Sequence, residues 1–249
     1  MIEAIDLSKR YANGKLALDA LNLHVAPGEI YCLLGAKGAG KTTAIDLLLG
    51  FTGPTTGRVL IGGIDMARQP LEAKARAAYL ADTTAFYRRL TALQNLDFFA
   101  RLSTRQPPRR SDCEMALREV GLPEAAFGQR LADLDPGSVR KVGIAAALMK
   151  GAAAFLLDEP LSGLDPKAQA ELVEILEELR DRGKAILITM QDLFWARQLA
   201  DRVGILQEGR QALTRTREDL RHENLEKLYL DYMRGRLHSR DRSELARPA

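Results

Sequence analysis

The feature that most constrains the fold of this chain is a short apolar run that leads directly into a glycine-rich loop and then into a helical pattern. The run is IYCLL, the loop is GAKGAGKTT at 35–43, and the helical pattern follows in TTAIDLLLG. A short apolar run bounded by turn residues is typical of a buried strand. The sequence therefore predicts a strand that turns tightly into a helix, which is the start of a β-α-β unit.

Short apolar runs alternate with longer helical patterns along most of the chain. The strand candidates are EAIDL, IYCLLG, RVLIGG, AAYLA, AFLLD, AILIT and RVGILQ. This alternation predicts an α/β fold with a mainly parallel sheet. Between Ala81 and about Leu134 apolar residues recur at helical spacing, which predicts a helical insert. KAQAELVEILEELRDRG, which stops at Gly183, and ENLEKLYLDYM are predicted to be further helices.

Composition places the chain among globular proteins. Its 249 residues are 46% hydrophobic, enough for a sizeable core. The 36 basic and 33 acidic residues leave a net charge of +3, too small to favour nucleic acid as a partner. Two cysteines, Cys32 and Cys113, cannot form a disulfide framework and fit a reducing compartment. We expect no secretory signal, and no apolar stretch approaches the roughly 18 to 20 residues of a membrane-spanning helix.

The glycine-rich loop matches the phosphate-binding pattern G-x-x-x-x-G-K-[ST] at every fixed position. Its glycines let backbone N–H groups point at phosphate, and the following helix adds a positive dipole. Lys41 is predicted to reach the β and γ phosphates, and the Thr42 hydroxyl to ligate Mg²⁺. The order of strand, loop and helix disfavours a chance glycine turn. The candidate nucleotide-binding residues of the loop are Gly35, Ala36, Lys37, Gly38, Ala39, Gly40, Lys41, Thr42 and Thr43.

A second candidate site feature lies at the end of the strand candidate AFLLD. This run delivers Asp158 at its carboxyl end, where ligands bind in open α/β sheets, and Glu159 follows at once. Asp158 is predicted to hold the Mg²⁺ shell, and Glu159 to polarise the attacking water as a general base. A lone Asp-Glu pair is more often a solvated loop or a helix cap. The preceding phosphate loop favours the catalytic interpretation.

The order of these motifs resembles the ATP-binding subunit of an ATP-binding cassette (ABC) transporter. GAKGAGKTT, LLDEPLSGLDP, ILIT and ADRVGILQEGR occur in the family's order, and the match runs from Ile2 to about Leu213. LLDEPLSGLDP is the specific part, because phosphate loops alone occur in many nucleotidases. The resemblance implies a RecA-like P-loop NTPase core with an antiparallel β subdomain and an α-helical subdomain insert.

The resemblance also implies domain limits and a way of pairing. The ATP-binding domain would occupy 1–220, with its helical subdomain at about 82–136, and a C-terminal helix and basic tail would occupy 221–249. Two subunits would pair head to tail, holding ATP and Mg²⁺ between the phosphate loop of one and the signature loop of the other. Tyr11 would stack on adenine, with a β-edge tyrosine as an equal alternative. Asp165 would belong to the loop that crosses the dimer interface.

Three residues depart from the family's pattern near the phosphates. Asp82 stands where the family has a Gln that contacts Mg²⁺ and the attacking water; an ionised Asp can ligate Mg²⁺ but cannot donate a hydrogen bond. Gln191 stands where the family has a His that contacts the γ-phosphate; its amide can donate but carries no charge. Lys37 replaces the usual Asn and adds a cation near the phosphates. Asp82 and Gln191 are therefore weaker catalytic candidates than Glu159.

The signature loop departs furthest from the family's pattern. LDPGS stands where the family has Leu-Ser-Gly-Gly-Gln, and it keeps the leucine and Gly137. Asp135 would bring a carboxylate toward the phosphate bound by the opposite subunit, and Pro136 has no N–H to donate. An Asp N-cap followed by Pro is nevertheless a favourable helix start. Arg140 and Lys141 would either offset the Asp charge or, like most helical surface cations, be solvated.

These residues lead us to expect ATP binding with slow hydrolysis. The chain would drive a separate transmembrane permease from the cytoplasmic face of the inner membrane, paired with a second ATP-binding subunit as a homo- or heterodimer. The permease would dock near TTAFYRRLTALQNLDFFA, and GPTTGRVLIGG and ENLEKLYLDYM resemble ABC-2-type exporters. The alternative is a degenerate pseudo-ATPase that binds ATP and regulates or assembles a membrane complex. A soluble ATPase of DNA repair or translation is disfavoured, because no coiled-coil insertion or second cassette is evident.

Overall fold

Strands and helices alternate along the computed structural model, which describes residues 1–81, 86–103 and 107–233. The strands are β1 (Ile2–Arg10), β2 (Leu16–Val25), β3 (Glu29–Leu34), β4 (Thr56–Ile61), β5 (Ile64–Asp65), β6 (Ala77–Leu80), β7 (Ala154–Asp158), β8 (Ala185–Met190), β9 (Arg202–Gln207) and β10 (Arg210–Thr216). The helices are α1 (Lys41–Leu48), α2 (Pro70–Arg76), α3 (Ala92–Ser103), α4 (Arg110–Glu119), α5 (Glu124–Phe127), α6 (Pro136–Met149), α7 (Pro166–Asp181), α8 (Leu193–Leu199), α9 (Asp219–His222) and α10 (Leu225–Met233). Asp82 and the basic tail lie outside the described residues.

The described strands form a large sheet and a small one. The large sheet has the order β10-β9-β3-β8-β7-β6, and its neighbours are parallel except for the antiparallel pair β10 and β9. The small sheet has the order β2-β1-β4-β5 and is antiparallel throughout. This arrangement confirms the α/β class with a mainly parallel core sheet and a separate antiparallel β subdomain.

Strand β3 lies between two hydrophobic cores and contributes alternate side chains to each. Ile30, Cys32 and Leu34 face the core shared with the helical insert and with α7 and α8, whereas Tyr31 and Leu33 face the core shared with α1 and the small sheet. Side chains of a strand point alternately to opposite faces, so a strand covered on both sides is apolar throughout. This explains the uninterrupted apolar run that the sequence shows.

The segment after β6 is helical, as the spacing predicted. Helices α3, α4 and α6 pack on one another, and a short 3₁₀ turn at Leu131–Asp133 precedes α6. Helix α7 ends at Asp181, just before Gly183, which adopts a left-handed backbone. Among the described residues no helix is both long and apolar enough to cross a bilayer.

Strands β2, β5 and β10 were not predicted, and β5 has only two residues, too few to form a recognisable pattern. In β2 the alternation is interrupted, because Ala20 has a positive φ and the pairing with β1 shifts register between Ala4 and Leu7. In β10 the sequence RQALTRT is largely polar, which suits the edge of the large sheet but gives little apolar signal. Strands β2 and β10 therefore form through pairing with β1 and β9, and the pattern of their own residues does not reveal them.

We predict that Gly204→Ala destabilises the fold. A Cβ at Gly204 would overlap the hydroxyl of Tyr31, which is buried and accepts a hydrogen bond from Gln211 Nε2 at 2.9 Å. Overpacking of this kind costs about 1–3 kcal/mol. Urea unfolding followed by the fluorescence of Trp195 measures the loss. Gly53→Ala is the control, because nothing lies within 4 Å of a Cβ there; equal stability of the two variants would contradict the packing described.

Candidate active site

A cleft of about 410 Å³ opens at the carboxyl end of the parallel strands. Strand β3 leads into the glycine-rich loop, β7 ends at Asp158, and Gln191 follows β8. The cleft gathers most of the residues that the sequence singled out. It is lined by Tyr11, Lys15, Ala17, Lys37, Gly38, Gly40, Lys41, Thr42, Thr43, Asp158, Glu159, Ser162 and Gln191.

The glycine-rich loop has a backbone that few other residues could adopt. Gly38 and Gly40 have φ values of +86° and +112°. A Cβ on Gly40 would lie 2.6 Å from the carbonyl oxygen of Ala17, and one on Gly35 would lie 2.6 Å from that of Leu206. Gly40 precedes α1, and no side chain caps the first N–H groups of this helix. Those groups remain able to donate to an anion in the cleft.

Lys41 is buried at the base of the cleft, with 7% of its surface exposed. Its Nζ donates to the carbonyl oxygens of Gly35 at 2.6 Å and Ala36 at 3.3 Å, and lies 3.3 Å from Oε1 of Glu159. A buried ammonium group is costly unless it is paired and hydrogen-bonded. The loop carbonyls and the Glu159 carboxylate meet that need here.

Asp158 is held by two hydroxyl groups. Thr42 Oγ1 donates to one carboxylate oxygen at 3.4 Å, and Thr189 Oγ1 makes a short hydrogen bond to the other. Asp158 is 8% exposed, so its orientation is fixed by these contacts. The Thr42 hydroxyl and the Asp158 carboxylate therefore lie side by side, as two hard oxygen ligands for a cation would need to.

Glu159 has a left-handed backbone, with φ of +48°. Its N–H donates to the carbonyl and the hydroxyl oxygen of Thr189, at 3.0 and 3.2 Å. Its Oε1 accepts a hydrogen bond from Gln191 Nε2 at 3.1 Å, besides the contact with Lys41. The carboxylate is thus turned into the cleft and held by a cation and an amide.

Tyr11 follows β1 and lies at the outer wall of the cleft. Its hydroxyl is 3.4 Å from Thr43 Oγ1, and Lys9 Nζ lies 5.3 Å from its ring centre. The side chain is 37% exposed, so a ring face is available for stacking. Ala39 is buried behind the loop and accepts a hydrogen bond from Gly209 N–H, so it supports the loop rather than lining the cleft.

Asp135, Gly137 and Asp165 lie elsewhere, along a second cleft of about 570 Å³. Asp135 caps α6 and accepts hydrogen bonds from Ser138 N–H at 2.8 Å and Ser138 Oγ at 2.6 Å. Asp165 caps α7. A Cβ on Gly137 would lie 2.8 Å from Cβ of Ala168, so the starts of the two helices are in close contact. Within one chain these residues are not part of the first cleft.

Arg140 and Lys141 are not solvated surface cations, and that expectation was wrong. They are 7% and 9% exposed. Arg140 donates to the carbonyl oxygen of Ala81 at 2.7 Å, and Lys141 Nζ pairs with Glu171 at 2.6 Å. Lys141 lines the second cleft together with Asp135, but its ammonium group is paired with Glu171.

Sequence reasoning missed Thr189, which contacts both carboxylate residues. A signal existed, since Thr189 is a polar residue inside the fully buried strand AILITM. A buried hydroxyl must find a hydrogen-bond partner, and the neighbouring strand end supplies Asp158, its register partner. Lys15 was also missed; it follows β1 in an exposed turn whose sequence carries no such signal.

A glycine-rich loop lies between β3 and α1, and two carboxylates at the end of β7 line the same cleft. This combination defines a phosphate-loop nucleotide-binding protein. The family model described as ABC transporter matches residues 18–162, more than half of the chain. The chain belongs to this family. It is an ATP-binding subunit of an ABC transporter and an ABC-type ATPase.

Individual relatives agree with this assignment. The bacitracin transport ATP-binding protein BcrA of Enterococcus faecalis is 35% identical over 210 residues, which cover 84% of this chain and 67% of that protein. The phosphonates import ATP-binding protein PhnC of Hyphomonas neptunium is 37% identical over 213 residues, covering 80% and 81%. A solved structure of an ATP-binding subunit of an ABC transporter superposes with a TM-score of 0.82 at 29% identity, covering 94% of this chain and 99% of that one.

We predict that Thr189→Val lowers ATP turnover. The variant keeps the volume of the side chain but removes the hydroxyl that orients Asp158 and accepts from Glu159 N–H. Loss of such a supporting contact typically costs about 10- to 100-fold in activity. Phosphate release at saturating Mg-ATP measures the effect, and Thr189→Ser, which keeps the hydroxyl, serves as the control. A Thr189→Val protein with wild-type turnover would show that this contact is dispensable.

Proposed function

We propose that the first cleft binds Mg-ATP and hydrolyses it slowly to drive a transmembrane permease. The observation that carries this proposal is the convergence of four side chains in one cleft. Lys41, Thr42, Asp158 and Glu159 come from the loop after β3 and from the end of β7. These residue types are the ones that phosphoryl transfer requires: a cation for phosphate, ligands for Mg²⁺ and a carboxylate for water.

ATP fits the groups that the cleft presents. The uncapped N–H groups at the start of α1 and the Lys41 ammonium provide donors for the phosphates. Lys41 would exchange its contacts with Glu159 and the loop carbonyls for phosphate oxygens, which are stronger acceptors. The exposed ring of Tyr11 would stack on adenine at the outer wall, and Lys37 would lie near the phosphates.

Magnesium fits the site in company with the nucleotide. Thr42 and Asp158 supply two adjacent oxygen ligands. The described residues contain no cluster of three or more acidic, His or Cys side chains that could hold a metal ion. Mg²⁺ prefers six oxygen ligands, so phosphate oxygens and water would complete its shell. The cation would therefore bind together with ATP.

Glu159 is the residue we assign to activating the attacking water. Its carboxylate faces the cleft and contacts Lys41. It would be released from that contact if the ammonium group bound a phosphate oxygen. Gln191 would then hold Glu159 through its amide, without taking or giving a proton. Asp82 keeps its place as a sequence-based candidate for contact with Mg²⁺, outside the described residues. A site with an amide at 191 is expected to turn over slowly.

Docking of the permease is proposed at the aromatic surface of the helical insert. Phe86, Tyr87, Phe98 and Phe99 stack edge to face, with ring centres 4.9 to 5.4 Å apart for three of their pairs. Tyr87 is 51% exposed, and Leu102, one turn after Phe98 on α3, is 69% exposed. Exposed apolar residues grouped in this way favour a protein-binding surface. The likeness of GPTTGRVLIGG and ENLEKLYLDYM to exporters supports export, with the chain on the cytoplasmic face of the membrane.

A pseudo-ATPase is the second candidate, and the start of α6 is the observation that favours it. In a head-to-tail dimer this segment of the second subunit would face the nucleotide. The Asp135 carboxylate and the Pro136 ring stand there in place of hydroxyl and N–H donors. Such a protein would hold ATP and regulate or assemble the complex without useful turnover.

We predict that Glu159→Gln abolishes turnover but leaves ATP binding close to wild type. General-base catalysis contributes roughly 10²- to 10⁴-fold, so turnover should fall by at least about 100-fold. Phosphate release and equilibrium binding of a fluorescent ATP analogue by the purified full chain measure the two quantities. Glu174→Gln on the exposed face of α7 is the control. Wild-type protein that binds ATP without any turnover would favour the pseudo-ATPase instead.

We predict that Asp135→Ser/Pro136→Gly raises turnover. The double change restores a hydroxyl and an N–H donor to the segment that would face phosphate, and hydrogen bonds to charged groups contribute about 1.5–3 kcal/mol, or roughly tenfold or more. The rate is measured at saturating Mg-ATP and at protein concentrations that saturate the dimer. Asp133→Ser, at an exposed residue just before the loop, is the control. An unchanged rate would mean that LDPGS serves as well as the usual sequence.

A further inference from the structure

Two exposed residues of opposite charge lie at the two clefts without an ion-pair partner in the described part of the chain. Lys37 is at the tip of the glycine-rich loop and lines the first cleft; Asp135 is at the start of α6 and lines the second. The Asp135 carboxylate accepts hydrogen bonds from Ser138 N–H and Oγ, which are uncharged donors. Among residues 1–81, 86–103 and 107–233, no ion pair therefore neutralises either charge.

The nearby cations of α6 do not serve Asp135. Lys141 is paired with Glu171, and Arg140 donates to the Ala81 carbonyl oxygen on the buried side of the helix. Burial raises the pKa of the Asp135 carboxyl, but hydrogen bonds from Ser138 and from nearby backbone N–H groups together outweigh it and hold that pKa below its usual range. The residue stays charged at neutral pH, next to the place where a nucleotide phosphate would approach in a dimer.

The two clefts share one segment of the chain. The segment that joins β7 to α7 touches both, since Glu159 and Ser162 line the first cleft and Asp165 lines the second. The glycine-rich loop and the start of α6 are therefore both available to a partner that covers the carboxyl end of the large sheet.

We propose that the partner is a second copy of this chain, in which Asp135 of each copy forms an ion pair with Lys37 of the other. The inference rests on the proposed function, because it uses the head-to-tail dimer that encloses ATP. A two-fold axis makes the same surface meet itself, so the two departures from the family's sequence occur as two reciprocal pairs. Lys37 then counters the carboxylate that would otherwise face phosphate alone.

A charge swap between copies tests this pairing. Full-length Glu159→Gln protein, which retains ATP, is made with Lys37→Asp or with Asp135→Lys added, and dimer dissociation constants are measured by sedimentation in saturating Mg-ATP. Each added substitution places two like-charged pairs in the homodimer, so each protein alone should dimerise about tenfold or more weakly than the parent. In an equimolar mixture a dimer can form from one protein of each kind. One of its contacts then joins the two substituted side chains and the other joins the original Lys37 and Asp135, so both contacts again join opposite charges. The mixture should recover dimerisation close to that of the parent.

The recovery separates the ion pair from other roles of the two residues. If Lys37 served only phosphate, or Asp135 only capped α6, mixing two weakened proteins would not restore the dimer. Lys227→Asp, at an exposed residue of α10 that lines neither cleft, and Asp133→Lys, just before Asp135, are controls that should leave dimerisation unchanged. Raised salt should weaken the parent dimer.

The remaining outcomes overturn the proposal in distinguishable ways. A mixture as weak as its components, or a Lys37→Asp protein that dimerises like the parent, excludes the ion pair while leaving ATP binding intact. A parent protein that binds ATP but stays monomeric excludes the second copy and makes a different ATP-binding subunit the occupant. A parent that fails to bind ATP, measured beforehand with the fluorescent analogue, would remove the proposed function itself.

Discussion

The parallel pairing of β3, β8 and β7 is the constraint on which the site depends. In the register of these strands Leu34 lies beside Met190, and Asp158 lies beside Thr189. The glycine-rich loop, the carboxylates after β7 and Gln191 after β8 consequently leave the sheet at one edge. Backbone hydrogen bonds between these buried strands set the spacing of the three segments, and Tyr11 joins them from the small sheet.

The sequence predicted the parts of this site that depend on local chemistry. A strand, a glycine loop and a helix are encoded by neighbouring residues, and so is a carboxylate pair at the end of an apolar run. Long-range contacts could not be read in the same way. The bulge that conceals β2 requires β1, the role of Thr189 requires β7, and the burial of Lys141 requires α7. Each is a property of two segments, and a single sequence does not say which segments meet.

The start of α6 combines two requirements that favour different residues. As a helix terminus it is well made, since Asp135 caps the helix and Pro136 occupies the first turn, where its missing N–H costs nothing. As a surface for phosphate it lacks donors and carries a negative charge. Local stability and phosphate recognition are separate properties of the same five residues. The helix start remains stable even though the segment has lost donors for phosphate. In the proposed dimer, Lys37 of the second copy would offset that charge.

The left-handed backbone of Glu159 lowers the stability of the fold, but it turns the carboxylate into the cleft where the chemistry needs it. A residue with a side chain pays about 1–3 kcal/mol to remain in this conformation, whereas glycine adopts it freely. Replacement by glycine would therefore relax the turn after β7, and it would also delete the carboxylate that the turn presents to the cleft. At this residue a more stable protein and a more active one call for different amino acids, and the chain has the one that favours activity.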